Sequence, residues 1–210
     1  MRMHLLIPCG LLAVLASACG ATSQASVDPM EPKSGMPDWE MTFVPDLPVG
    51  HPPYDRVDAS WKQRMGTPYI YFEHFGNYNE TGSLIPTLHR ELVSQGLKPA
   101  GPPFCLFYDD PGPTPTMELR SRACIPIGGA RSPKAPLHYE VLPEATVVYA
   151  FVSGAYPDVP RAYPQIWNFL DRMNWTIDGP IRHTYMVPPG ENPEPDALLC
   201  EIQVPAAQRP

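Results

Sequence analysis

Positive charge is scarce in this chain. Fifteen Lys and Arg stand against 22 Asp and Glu in 210 residues, a formal net charge of −7. No run of basic residues occurs, which argues against nucleic acid as a partner. The same balance favours neutral or cationic ligands over anionic ones. Cysteine is thin, five in all, with no Cys-x-x-Cys and no Cys/His zinc spacing. The six histidines form no metal pattern, and no His-Glu-x-x-His occurs. Gly-x-Ser-x-Gly elbows and phosphate-cradling glycine loops are missing too. Nothing in the sequence calls for a cofactor, and no apolar run is long enough to span a bilayer.

What is present begins with a leader-like segment. Arg2 is followed by an apolar run from Leu5 to Ala16, and the small residues Ala16-Ser17-Ala18 stand directly before Cys19. This pattern predicts an export signal over residues 1–19. It resembles a bacterial lipobox, so Cys19 is expected to be lipidated and to anchor the protein to a membrane, with an ordinary cleaved signal as the alternative. The expected location is the cell envelope, on the periplasmic side of a membrane, with an envelope protein as an open further partner. Residues 20–53, rich in Ser, Pro and Gly, read as a tether.

The folded part is written twice, 78 residues apart. Trp61 answers Tyr139, Tyr71 answers Tyr149, and Gly76-Asn77-Tyr78 answers Gly154-Ala155-Tyr156. Pro86 answers Pro164, Leu92 answers Leu170, Gly101-Pro102 answers Gly179-Pro180. The domain is placed at 54–206, with repeats at 58–127 and 136–205 and a tail at 207–210. Each repeat reads as strand, strand, helix, strand, strand. Leu84, Leu88 and Leu92 recur at helical spacing, as do Ala162, Ile166 and Leu170. Pro86 and Pro164 fall in the first turn of each helix, Ser83 is the expected N-cap, and Gly96 and Asn174 are the expected left-handed residues at the ends. The fold class is α+β: a duplicated β-β-α-β-β unit, about eight antiparallel strands and two helices, with a ligand cleft between the halves.

Cys105, Cys124 and Cys200 all fall on predicted strands. An exported chain permits one disulfide, with Cys105–Cys124 the most natural pair; equally, all three suit small buried hydrophobes. Arg122 sits near the position in the first copy that Glu201 holds in the second, with a one-residue slip. It reads either as the mirror of Glu201 or, preferred, as a plain surface arginine.

The order of Gly76-Asn77-Tyr78, Gly101-Pro102, Phe107-Tyr108-Asp109-Asp110-Pro111, Gly154-Ala155-Tyr156, Gly179-Pro180, Tyr185 and Glu201-Ile202-Gln203-Val204-Pro205 resembles the GyrI-like small-molecule-binding domain, the effector-binding half of some bacterial multidrug-responsive activators. The resemblance covers about residues 55–206. It implies an aromatic cleft into which a glutamate of the last strand projects to meet lipophilic cations; here that glutamate is Glu201, and Tyr185 matches a cleft tyrosine. Tyr108, Tyr71, Tyr149, Trp167 and Tyr156 complete the expected ligand-binding set, with core packing the alternative for about half of these aromatics. The expected function is non-catalytic binding of a small lipophilic molecule, with a cation as one option. The alternatives are hydrolysis of a reactive cyclopropanoid by Glu201 with Tyr185, and a structural or interaction module of the envelope. Unlike the activators, the chain is expected to lack a DNA-binding helical domain before the cleft and to carry an export signal instead, with only a short tail after Pro205.

Overall fold

The computed structural model describes residues 44–187 and 198–210. Within them the two copies superimpose element by element. β2 (Ser60–Arg64) corresponds to β6 (His138–Leu142), β3 (Thr67–Phe75) to β7 (Ala145–Ser153), and β4 (Phe104–Phe107) to β9 (Ile181–Tyr185). β5 (Arg120–Pro126) corresponds to the longer β10 (Leu199–Gln208). The helices are α1 (Tyr78–Thr81), α2 (Ile85–Ser94) and α3 (Tyr163–Arg172). A 3-10 segment at Tyr156–Ala162 takes the place of α1 in the second copy. Two short strands were not expected from the repeat: β1 (Val49–Gly50), and β8 (Trp175–Ile177), which pairs with the end of β10.

The strands form one sheet in the order β1-β7-β10-β9-β4-β5-β3-β6, with β2 also paired to β7. The first strand of each copy leaves its own half: β2 pairs with β7, and β6 pairs with β3. Each copy thus finishes the other's sheet, and neither half could satisfy its edge alone. At the centre β4 and β9 run antiparallel, with Cys105 opposite His183. These two are counterparts in the repeat, so the pseudo-twofold axis passes between them.

Cross-strand partners share a face, which sorts the side chains into two sets. One face carries Ile70, Cys105, Ala123, Ile125, Val148, Ala150, Ile202 and Val204, packed under Leu88 and Leu92 of α2 and Ile166 and Leu170 of α3. Both helices enter through a proline at their first positions. They end at Gly96 (φ 71°) and Asn174 (φ 54°), the expected left-handed residues. Ser83 does not cap α2; its hydroxyl donates to Glu80 O, and the capping side chain is Asn77, which accepts from Asn79 N at the start of α1. The opposite face carries Tyr69, Phe104, Leu106, Cys124 and Leu142, with Tyr71 and Tyr108 against them.

Two expectations are corrected at this level. Within the stretch placed in the tether, Val49–Gly50 join the sheet: β1 pairs in parallel with β7, and nearby Asp46 accepts from Tyr149 Oη at 2.9 Å. The disulfide is not formed. Cys105, Cys124 and Cys200 are free and buried, and Cys105 packs on the helical face while Cys124 packs on the other, so their sulfurs are kept apart by the sheet.

Candidate functional site

A cavity of about 470 Å³ opens on the helical face, at the seam of the two copies. Its floor is β4 and β9: Phe107, Ile181, His183 and Tyr185. Its walls are the helix entries of both halves, Tyr78, Ser83 and Pro86 from one and Tyr156, Pro160 and Tyr163 from the other. The sequence builds these walls through Gly76 and Gly154, at φ 133° and 117°, which turn each chain sharply out of its strand. At Gly154 a Cβ would lie 2.6 Å from Tyr54 Oη.

The cavity carries the pseudo-twofold in its aromatics. Tyr78 leans on Phe107 with ring centroids 4.9 Å apart, and their counterparts Tyr156 and Tyr185 stand 4.5 Å apart. Tyr78 Oη donates to Asp109 O at 3.0 Å and accepts from Asp109 N at 2.9 Å. Tyr156 Oη donates to the equivalent carbonyl, that of Val187. These bonds fix each phenol and turn its ring towards the hollow. Near the axis His183 Nε2 meets Tyr163 Oη at 2.8 Å. Burial pushes His183 down to about 3 and raises Tyr163 and Tyr185 well above the usual phenol range, so all three are neutral near pH 7. Asp109 is the one carboxylate among the described lining residues, and Arg120 N donates to its Oδ2 at 2.6 Å.

Of the residues expected to bind ligand, Tyr156 and Tyr185 line this cavity. Trp167 lies beside Tyr163 on α3, 5.1 Å between ring centroids, and packs on the core. Glu201, Tyr149, Tyr71 and Tyr108 are on the far face. Glu201 is buried and does face away from Cys200 and Ile202 as expected, but this puts it on the opposite side of the sheet from Tyr185, which is the cross-strand partner of Cys200. A Glu201–Tyr185 hydrolytic pair is therefore not assembled.

The far face has its own symmetry. The register of β5 and β10 makes Arg122 the counterpart of Glu201, not a surface arginine; it is 8% exposed. Arg122 Nη1 donates to Glu140 Oε2 at 2.5 Å and to Tyr69 Oη at 2.9 Å, while Nε pairs with Glu73 at 3.3 Å. In the other half Lys62 Nζ lies 2.6 Å from Glu201 Oε1. Lys62 is the counterpart of Glu140, so the same ion pair recurs with its charges exchanged. The ring beneath the cation also recurs: Arg122 sits 4.0 Å over Tyr71, and Lys62 4.1 Å over Tyr149. Arg120 covers Tyr108 at 4.0 Å, and Arg182 covers Phe104 at 4.0 Å. Three of the aromatic faces expected to receive a ligand cation, Tyr71, Tyr108 and Tyr149, already hold cations of the protein. The pairing of β2 with β7 brings Lys62 there, and no local pattern in the sequence announces it.

The chain matches the family model of the GyrI-like small molecule binding domain over residues 60–207. Among curated proteins none matches. The C-terminal domain of EcmrR is similar in structure, with a TM-score of 0.63 at 17% identity over 73% of this chain and 99% of that one. EcmrR in a complex with DNA gives a TM-score of 0.64 at 17% identity, covering 73% of this chain and 58% of that one. A hydrolase from Listeria innocua scores 0.54 at 7% identity over 71% of this chain and 91% of the other. The protein SAV2435, solved bound to tetraphenylphosphonium, scores 0.51 at 13% identity over 71% and 94%. The expectation of an exported, lipid-anchored envelope protein is corrected by this likeness: the fold is shared with EcmrR, a protein seen in complex with DNA. No helix among the described residues is long and apolar enough to cross a membrane, and Cys19 lies outside them. A duplicated α+β sheet with an aromatic seam and a match over residues 60–207 together assign this chain to the GyrI-like family of small-molecule-binding domains.

Proposed function

We propose that the protein binds a lipophilic molecule of one or a few aromatic rings in the cavity at the seam, without catalysis. The observation that carries the reading is the pair of twofold-related aromatic clamps, Tyr78 with Phe107 and Tyr156 with Tyr185, facing one hollow of about 470 Å³. That volume suits a small organic ligand. Phenols anchored to backbone carbonyls and walls of proline lose little freedom when a ligand enters, so little affinity is spent on ordering them. No Lys or Arg is among the described lining residues, and the neutral His183 and Tyr163 leave Asp109 as the charged group. The ligand is accordingly uncharged or carries a single positive charge, which Asp109 meets.

The test uses the full chain with two probes, the neutral fluorophore N-phenyl-1-naphthylamine and tetraphenylphosphonium as competitor. Saturable fluorescence enhancement, reversed by the phosphonium, is expected. Ser83→Trp, at the exposed rim, fills the mouth and should weaken binding at least tenfold while the circular dichroism spectrum is unchanged. Absence of saturable binding by either probe, or full binding by the Ser83→Trp protein, would reject the seam as the site.

A further inference from the structure

The pseudo-twofold makes each half of the far face a control for the other. Around β3 the apolar Phe104 and Leu142 are buried in one small cluster. Around β7 their counterparts are arginines, Arg182 for Phe104 and Arg64 for Leu142, 8% and 7% exposed. In the first half Arg120 and Arg122 are answered by Glu73 and Glu140. In the second, Lys62, Arg64 and Arg182 face Glu201, whose nearest cation is Lys62. Even with Asp46, which accepts from Tyr149 Oη at 2.9 Å, one positive charge is left over.

The hydrogen bonds show the same excess. Arg64 spends Nη2 on Pro143 O at 2.9 Å, and its Nε and Nη1 find no partner among the described residues. Arg182 Nε is in the same state, and so is Oε1 of Gln203, its cross-strand neighbour. Gln203 is an amide that can turn to present its N–H groups. Burial lowers the pKa of both arginines, Arg182 to about 10; at Arg182 the Glu201 carboxylate works against this and Arg64 adds to it. The counterparts Phe104 and Leu142 share one cluster, so the pseudo-twofold brings the two guanidiniums to one place, where three cations share the two acids Glu201 and Asp46 and burial makes the unmatched charge costly.

We propose that the far face around β7 holds a small monovalent anion of carboxylate chemistry between Arg64 and Arg182, with the Gln203 amide as a further donor. Planar guanidinium forks match a carboxylate's two oxygens. The site is separate from the seam cavity, since the sheet lies between them, and the proposal does not depend on the seam being occupied. It also reverses what the acidic composition suggests, because the local surplus of arginine outweighs the net charge of −7.

Crystals of the full chain soaked in bromide should show an anomalous peak between Arg64 and Arg182, displaced by acetate. In solution, acetate balanced at constant ionic strength with the bulkier gluconate should raise Tm saturably, by about 3 °C at tenfold excess over Kd. The double substitution Arg64→Leu with Arg182→Phe gives this half the residues of the other half and should abolish the acetate response. Density for water alone in the bromide crystals, or an undiminished acetate response in the double variant, overturns the proposal. Should the double variant fail to fold, the bromide experiment on the unaltered chain decides.

Discussion

The two faces of this sheet are built from the same repeat and have opposite chemistry. On the helical face the halves agree: Tyr78 matches Tyr156, each proline entry matches the other, and the seam between them is an apolar hollow with neutral tyrosines and a neutral histidine. On the far face the halves disagree in sign, Arg122 against Glu201 and Glu140 against Lys62. Where the copies agree they enclose a hollow; where they differ in charge, ion pairs and stacked cations cover the tyrosine rings. A carboxylate such as Glu201 is thus not a free acceptor, because Lys62 already neutralises it at 2.6 Å.

The comparison can be broken first at the core beneath the seam. Ile166 and Leu88 are fully buried under their helices, and truncating either to Ala should cost about 2–5 kcal/mol, read from urea unfolding. A cost below 1 kcal/mol would mean that the helices are not what holds the seam. Lys62→Met, in the charge-inverted pair, strands the Glu201 carboxylate, 7% exposed, and should cost about 3 kcal/mol. Arg122→Met leaves Glu73 and Glu140, 33% and 48% exposed, to be solvated by water and should cost about 1 kcal/mol. Equal losses for the two would show that the far face does not distinguish its halves.

Acid titration sharpens the contrast from the seam. Burial holds the pKa of His183 at about 3, against 6.5 unfolded. The unfolded chain therefore binds more protons between these values, and the contribution is complete above about pH 6.5 and is lost as pH falls towards 3. The slope is about 1.4 kcal/mol per pH unit while this group alone differs, and His89, also lowered by burial, adds in the same direction. His183→Gln, which keeps a hydrogen bond available to Tyr163, should flatten the acid limb; an unchanged limb would remove His183 as its origin. The smallest effect concerns Glu201→Gln, expected to leave the affinity of the neutral seam probe within about twofold of the original. A larger change would mean that the two faces communicate.

Much of the fold could be read along the chain, because duplication writes each constraint twice. Helix stripes at Leu88 and Leu92 and at Ile166 and Leu170, proline entries, and left-handed ends at Gly96 and Asn174 are local, and local physics makes them legible. Tyr156 and Tyr185, expected in the cleft through the resemblance, do line the cavity, where they are the counterparts of Tyr78 and Phe107. Tyr78, Phe107 and His183, which complete the seam, carried a signal only in that symmetry. Tyr71, Tyr108, Tyr149 and Glu201 belong together, but on the other face. Period-two alternation says that Glu201 opposes Ile202 without saying which side holds the cavity.

By itself the amino-acid sequence determined that two equivalent β-β-α-β-β units exist, where each helix begins and ends, and which residues turn together. Tertiary structure alone decided that the units exchange their first strands, that Lys62 thereby reaches Glu201 and Tyr149, and that Arg64 and Arg182 are buried on the same side of the sheet. The reason is the range of the interactions: helix periodicity and turn chemistry act over a few residues, whereas the β2–β7 pairing and the Lys62–Glu201 ion pair join positions 80 or more apart, and only the closed sheet brings those into contact.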